Sequence, residues 1–423
     1  MRLLYTAALW LLLPYVLLRL LWRARKQPEY LRHVAERFGS YPVDDDLGRD
    51  GKPLIWLHAV SVGETRATQS LVARLRATYP DHRILLTHAT PTGRAAGEQL
   101  YGDDVLRAYL PYDYPFAVNA FLRHFNPQLG ILMETEIWPN LIAAAHKRGV
   151  PLVLLNARMS EKSARGYARF ETLTRCALEQ LSAVAAQTAD DAARLTALGA
   201  NNVSLMGNLK FDIEAPPEML TLGRRLRTQF GTERRVFLAA STREGEEALL
   251  LDALSPQLDA ADWLLVIVPR HPQRFAEVAA MLEQRGISYR RRSEDSAIDP
   301  SVRAVLGDSM GEMFAYYAAA DLAFIGGSLL PYGAQNLIEA CAVGTPVLVG
   351  PHTYNFAEAT RLAVAAGAAH QVSDVGELVA EAQRLLGDAA ALSDMRQGCA
   401  GFVAANRGAT DTALNIVRSF LPE

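Results

Sequence analysis

From residue 54 onward the chain alternates short unbroken apolar runs with segments of helical periodicity. That alternation limits its fold more than any other feature. The runs are LIWLHAV (54–60), RILLTHAT (83–90), LGILMET (129–135), PLVLLNAR (151–158) and AVAAQTA (183–189). Apolar runs of this length suit strands covered on both faces, as in a parallel sheet. Helical spacing fills the gaps, as in ATQSLVARLRATY (67–79) and WPNLIAAAHKRG (138–149). Repeated βα units predict an open doubly wound sheet. Residues 211–231 interrupt the pattern at Pro216-Pro217, and a second series follows: RVFLAAST (235–242), WLLVIVP (263–269), VRAVLGD (302–308), DLAFIGG (321–327) and PVLVGP (346–351). Residues 375–423 read as helical. A chain of 423 residues has room for two such domains. The reading is α/β: a first Rossmann-like domain at 27–212, a linker at 213–231 and a second Rossmann-like domain with terminal helices at 232–423. Such domains place ligands in a central cleft, at the carboxyl ends of the strands.

Residues Leu3–Trp22, LLYTAALWLLLPYVLLRLLW, are long enough for one bilayer crossing. Arg19, Arg23, Arg25 and Lys26 stand at the end of the run or after it, and no small-residue cleavage site follows. That order disfavours a cleaved leader. By the positive-inside rule it keeps the rest of the chain cytoplasmic. Residues 1–26 read as a membrane anchor, either spanning the bilayer or lying in its interface. Net charge is −3 and gives no global basic field for nucleic acid. Three dispersed cysteines and the lack of HExxH argue against a disulfide framework or a metal site. Asp44-Asp45-Asp46 reads as solvated charge, and no cofactor motif is present.

Polar and glycine-bounded segments recur at the predicted strand ends. Ser61-Val62-Gly63-Glu64 opens a helix after the first run. Its N–H groups suit an anion, while Glu64 on spacing alone reads as an acid complementing the helix dipole. Glu134-Thr135-Glu136 ends another strand, and only one of its two carboxylates can easily face a cleft. Lys210, in Gly207-Asn208-Leu209-Lys210, suits a phosphate or carboxylate or is a solvated lysine. Arg270, His271 and Arg274 form a cation cluster after the 263–269 run. Ser309, Gly311 and Glu312 form a second anion or ribose contact, unless Asp308-Ser309 simply caps a helix. Gly327 and Ser328 follow a strand, and Asn336 and Glu339 lie three apart, on one helix face. A carboxylate there can accept both hydroxyls of a ribose.

Taken in order, LHAVSVGETRA, ETEIWPNL, GNLKFD, PRHPQR, GDSMGE and GGSLLPYGAQNLIEA…GTPVLVGPHTYNFAE resemble the signature blocks of the bacterial Kdo (3-deoxy-D-manno-octulosonic acid) transferases. The blocks cover nearly the whole chain. The resemblance implies a GT-B glycosyltransferase with no divalent-metal requirement. It implies transfer of Kdo from CMP-Kdo to the 6′-hydroxyl of a tetraacylated lipid A precursor, with inversion, at the bacterial inner membrane. It makes Glu64 the catalytic base and overrides the dipole reading. It places Glu134, Lys210 and Arg270 in substrate and phosphate contact, and Asn336 and Glu339 at the nucleotide ribose. Where the family often has Gly-Gly-His-Asn, this chain has Gly333-Ala334-Gln335-Asn336, so Gln335 is given no charged role. The competing readings are another GT-B enzyme using a UDP-sugar and an exported two-domain solute-binding protein.

Overall fold

The computed structural model describes residues 1–42, 51–260 and 263–421; Asp44-Asp45-Asp46 lies outside them. The chain divides into two compact units. One comprises Met1–Asp212 with Arg407–Glu423, and the other Ile213–Asn406.

The first unit is built on seven parallel strands: β1 (Leu54–His58), β2 (Arg83–His88), β3 (Leu106–Tyr109), β4 (Leu129–Met133), β5 (Leu152–Ala157), β6 (Ala183–Ala186) and β7 (Val203–Leu205). Their order is β3-β2-β1-β4-β5-β6-β7. Every residue of β1 is buried, and alternate side chains serve opposite faces. Leu54 and Trp56 join one core, Ile55 and Leu57 the other. This explains why the strand reads as a continuous apolar run. The order reverses at β1, between β2 and β4, which is where an open α/β sheet binds ligands.

The second unit repeats the plan with β8 (Arg235–Thr242), β9 (Trp263–Pro269), β10 (Tyr289–Arg291), β11 (Ala304–Leu306), β12 (Leu322–Ile325), β13 (Val347–Val349) and β14 (Ala369–Gln371). The order is β10-β11-β9-β8-β12-β13-β14, reversing at β8. All ten apolar runs picked out in the sequence are strands. The other four, β3, β7, β10 and β14, are three or four residues long and all lie at sheet edges, so they carry little periodic signal.

The unit boundaries differ from the sequence reading in two places. Within the expected linker, residues Pro217–Phe230 form a helix of the second unit, with Pro217 in its first turn. Proline fits there because its missing N–H would have no helical partner. At Gly223 this helix meets helix Met313–Ala319 so closely that a Cβ would stand 2.7 Å from the Ala318 Cβ. The closing helix Ala409–Arg418, expected in the second domain, belongs to the first unit. Its Ala413, Leu414 and Val417, with Leu421, complete the core that holds Leu71, Leu75, Leu129 and Ile131. Hydrophobicity alone does not say which sheet a terminal helix covers.

Residues Arg2–Lys26 form one largely exposed helix, the single described helix long and apolar enough to cross a membrane. It also belongs to the first unit. The Tyr5 hydroxyl donates to Asp113 at 3.0 Å, and the Thr6 hydroxyl to Asn140 at 3.1 Å. The Tyr114 hydroxyl donates to the Leu9 carbonyl at 2.8 Å, and the Trp10 ring lies against Tyr114 and Phe116. Asp113 is 3% exposed and also accepts the N–H groups of Asn140 and Leu141, at 2.9 and 2.8 Å. Those belong to the first turn of helix Pro139–Lys147, so one carboxylate caps one helix and ties down another. Burial pushes its pKa up to about 6.

Candidate active site

In the first unit the candidate residues gather at the carboxyl ends of β1, β4 and β7. Ser61 caps the short helix Val62–Ala67, its Oγ accepting the Glu64 N–H at 3.3 Å. The Glu64 carboxylate folds back: one oxygen accepts the Val60 N–H at 2.8 Å, the other the Ser61 hydroxyl at 2.8 Å. The geometry is a variant of the capping box, which Ser-x-x-Glu spacing encodes. Gly63 is exposed in the same first turn. Burial raises the Glu64 pKa above the ordinary carboxylate range, and the negative charges of Glu134 and Glu136 push the same way. The Val60 and Ser61 hydrogen bonds oppose the rise.

Glu134 and Glu136 part as the extended chain predicts. Glu134 pairs with Lys210 Nζ at 3.4 Å. Glu136 accepts from the Trp138 indole at 2.6 Å and stands 3.7 Å from the buried His58 Nε2. Lys210 lies in the turn Leu209–Phe211, whose backbone is held by Asn208 Oδ1 and by the Asn156 side chain. Glu134 and Asn156 both adopt positive φ, 59° and 54°. Left-handed backbone in non-glycine residues costs energy, and it persists here because the surrounding hydrogen bonds hold it.

In the second unit the strand ends carry Arg270, Ser309, Gly327 and Asn336. Arg270 Nε donates to Gln335 Oε1 at 3.3 Å. The residue that departs from the family pattern therefore supplies a neutral acceptor to the guanidinium. His271 is exposed, and partial desolvation with the nearby Arg243, Arg270 and Arg274 lowers its pKa. Ser309 donates to Glu312 at 2.6 Å and lies 2.7 Å from the Tyr316 hydroxyl. Glu312 also pairs with Arg292 at 3.2 Å, so these side chains brace the turn at Gly311 (φ 82°). Asn336 donates to Glu339 at 3.1 Å, although it stands before the helix Ile338–Ala342 and not within it.

Gly326 and Ser328 serve closure of the sheet edge. A Cβ on Gly326 would meet the Ser241 carbonyl oxygen at 2.4 Å. Ser328 is fully buried, donates to the Ile325 carbonyl and accepts the Gly350 N–H at 2.8 Å. Its hydroxyl ties the ends of β12 and β13 together; the neighbouring Gly327 (φ 73°) donates its N–H to Glu246 at 2.6 Å.

Two acids escaped the sequence reading. Glu246 accepts the N–H groups of Arg243, Gly327 and Leu329 at 2.9, 2.6 and 3.0 Å. Glu247 binds Arg274 at 3.1 Å and the Thr242 hydroxyl at 3.0 Å. Both are fully buried. Their signal was present: Gly245-Glu246 follows β8 much as Gly63-Glu64 follows β1. Among the described residues, no three His, Cys, Asp or Glu side chains converge as a metal site.

Comparison with known proteins adds to this geometry. Residues 32–213 match the family model described as 3-Deoxy-D-manno-octulosonic-acid transferase (kdotransferase). A 3-deoxy-D-manno-octulosonic acid transferase of Bordetella pertussis is 44% identical, over 99% of this chain and 99% of that protein. One of Haemophilus influenzae is 35% identical over the same shares. A glycosyltransferase structure from Rickettsia africae aligns with a TM-score of 0.56 at 14% identity, over 88% of this chain and 99% of that one. The two parallel seven-stranded sheets are thus those of the GT-B fold.

Proposed function

The chain belongs to the 3-deoxy-D-manno-octulosonic acid transferase family, and from that premise we propose that it transfers Kdo from CMP-Kdo to the 6′-hydroxyl of a tetraacylated lipid A precursor. The observation that carries the reading is Glu64: a half-buried carboxylate at the sheet's switch point, oriented by two hydrogen bonds and raised in pKa. Those properties suit a general base.

In the step we propose, Glu64 takes the proton of the acceptor hydroxyl as that oxygen bonds to Kdo C2. The bond from C2 to the phosphate oxygen breaks, its electron pair leaves with CMP, and C2 inverts. The second unit holds the donor: Arg270, His271 and Gly311 at phosphate and carboxylate, Asn336 and Glu339 at the ribose, with Ser309 and Glu312 shaping the turn; the Gly327 N–H, expected at the donor, is spent on Glu246. The first unit holds the acceptor, with Ser61 and Gly63 beside the base. Lys210, oriented by Glu134, supplies positive charge to the anionic substrates. These side chains and backbone dipoles stabilise the departing phosphate without a divalent cation or a cofactor.

The Arg2–Lys26 helix supports work at the cytoplasmic face of the bacterial inner membrane. A helix of its length extends roughly 38 Å. Tyr5, Thr6 and Leu9 keep its first turns bound to the first unit, so we propose that it lies in the interface and does not cross. The test is purified protein with CMP-Kdo and tetraacylated acceptor in EDTA, products weighed by mass spectrometry. A product heavier by one or more Kdo units is expected. No product, with or without magnesium, overturns the donor and acceptor assignment.

A further inference from the structure

A cavity of about 410 Å³ lies within the first unit, between the amino-terminal helix and the ends of β1 and β2. Tyr15, Arg19 and Arg23 line it from the helix, and Arg37, His58 and Trp138 from the body of the unit. Its charged lining is entirely basic, in a chain of net charge −3.

Arg37 is the unusual member. It is 3% exposed, lies over the Tyr109 ring at 3.9 Å and donates one N–H to the Ala89 carbonyl at 3.0 Å. Its Nε and Nη2 have no hydrogen-bond partner. The adjacent acid does not serve it, because Glu36 is occupied by Arg94 at 2.8 Å and by the Tyr109 N–H at 2.7 Å. His58 Nε2, also fully buried, makes no hydrogen bond either, its nearest acid being Glu136 at 3.7 Å. A buried guanidinium with idle donors is unfavourable unless an anion completes it. A phosphate presents oxygens in the matching planar spacing.

We propose that this cavity seats a phosphate group of a phosphorylated lipid, and, resting on the functional reading above, that the lipid is the acceptor. The roof of the cavity is the apolar helix, with Leu11, Leu12 and Leu18 exposed along it, so hydrocarbon chains can lie beside the phosphate. Val60 lines the cavity and donates its N–H to Glu64, so a lipid anchored here is held next to the base.

The test needs no turnover. Full-length protein is sedimented with phosphatidylcholine vesicles carrying either phosphatidic acid, a phosphomonoester, or phosphatidylglycerol, a diester. The wild type is expected to favour phosphatidic acid by roughly tenfold, as for one charge-assisted hydrogen-bonded group. Arg37→Gln should bring that preference to parity while keeping its binding to phosphatidylglycerol. If that variant fails to fold, the exposed pair Arg19→Gln/Arg23→Gln should lose the same preference. Arg25→Gln, on the same helix but outside the cavity, should keep it. A folded Arg37→Gln with the full preference overturns the proposal, as does loss of the preference in Arg25→Gln. If inorganic phosphate raises the melting temperature of the wild type only, and phosphatidic acid shows no preference, the site takes free phosphate and the lipid assignment falls. In turnover, Arg37→Gln should raise the acceptor KM and leave the CMP-Kdo KM unchanged. Absence of any Kdo transfer would remove the functional reading and leave the vesicle result standing.

Discussion

Glu64 and Glu246 occupy matching places in the two units: each opens the helix after the strand where the sheet order reverses, and each accepts backbone N–H groups. Their difference is what favours Glu64, and not Glu246, as the proposed base. Glu246 is fully buried and takes three backbone donors, so it holds loops. Glu64 takes one backbone donor and one hydroxyl and stays partly open. Glu64→Gln should keep CMP-Kdo binding by calorimetry and lose about 10²–10⁴-fold in kcat. In the proposed role Glu64 must be ionised, so activity should fall as pH drops through its raised pKa. Glu134→Gln removes one negative neighbour and leaves Lys210 in place. Its acid limb in a kcat/KM profile should therefore move to lower pH. An unmoved or raised limb would show that Glu134 does not act on the base. At this scale the sequence was half legible. Ser-x-x-Glu spacing announced a cap, but nothing in it distinguished a capping acid from a base. The idle donors of Arg37 depend on what Glu36 binds, a contact made across many residues of chain.

Among the elements, strands were the most legible, because each long run is buried on both faces. Helix ownership was not. Pro216-Pro217 looked like a break, yet Pro217 fits a helix first turn. The amino-terminal helix was legible as apolar, while its docking was not, since Asp113 lies more than a hundred residues from Tyr5. Asp113 has a folded pKa of about 6, above the ordinary aspartate value, so its contribution to stability is full below the unfolded pKa and lost as pH rises through about 6. Between about pH 5 and pH 7.5 this group alone should weaken the first unit by about 1 kcal/mol. Urea titrations at the two pH values check this, with Asp113→Asn expected to flatten the difference. Gly326→Ala brings a Cβ onto the Ser241 carbonyl. It should destabilise the second unit by about 1–3 kcal/mol, read by calorimetry.

At the scale of the whole molecule, the βα repetition made both sheets legible, while the boundary between units was not. The chain leaves the first unit at Asp212 and returns at Arg407. Asp212 marks both points: its carboxylate accepts the N–H groups of Gly408 and Thr410. Truncation after Asn406 should therefore weaken the unit farther away in sequence. Leu414, Val417 and Leu421 are each no more than 6% exposed, and losing them should remove about 5 kcal/mol from the first unit. Two calorimetric transitions, with only the first unit's lowered, are the expected outcome.

The return of the last helix also sets an order of events on the ribosome. About 190 residues of the second unit are made between the two halves of the first. At ~5–20 residues per second, that is a delay of roughly 10–40 s. Throughout it, the nascent first sheet waits with Leu71, Leu75 and Ile131 unsealed. The interval leaves that face open to a chaperone until the last helix is made.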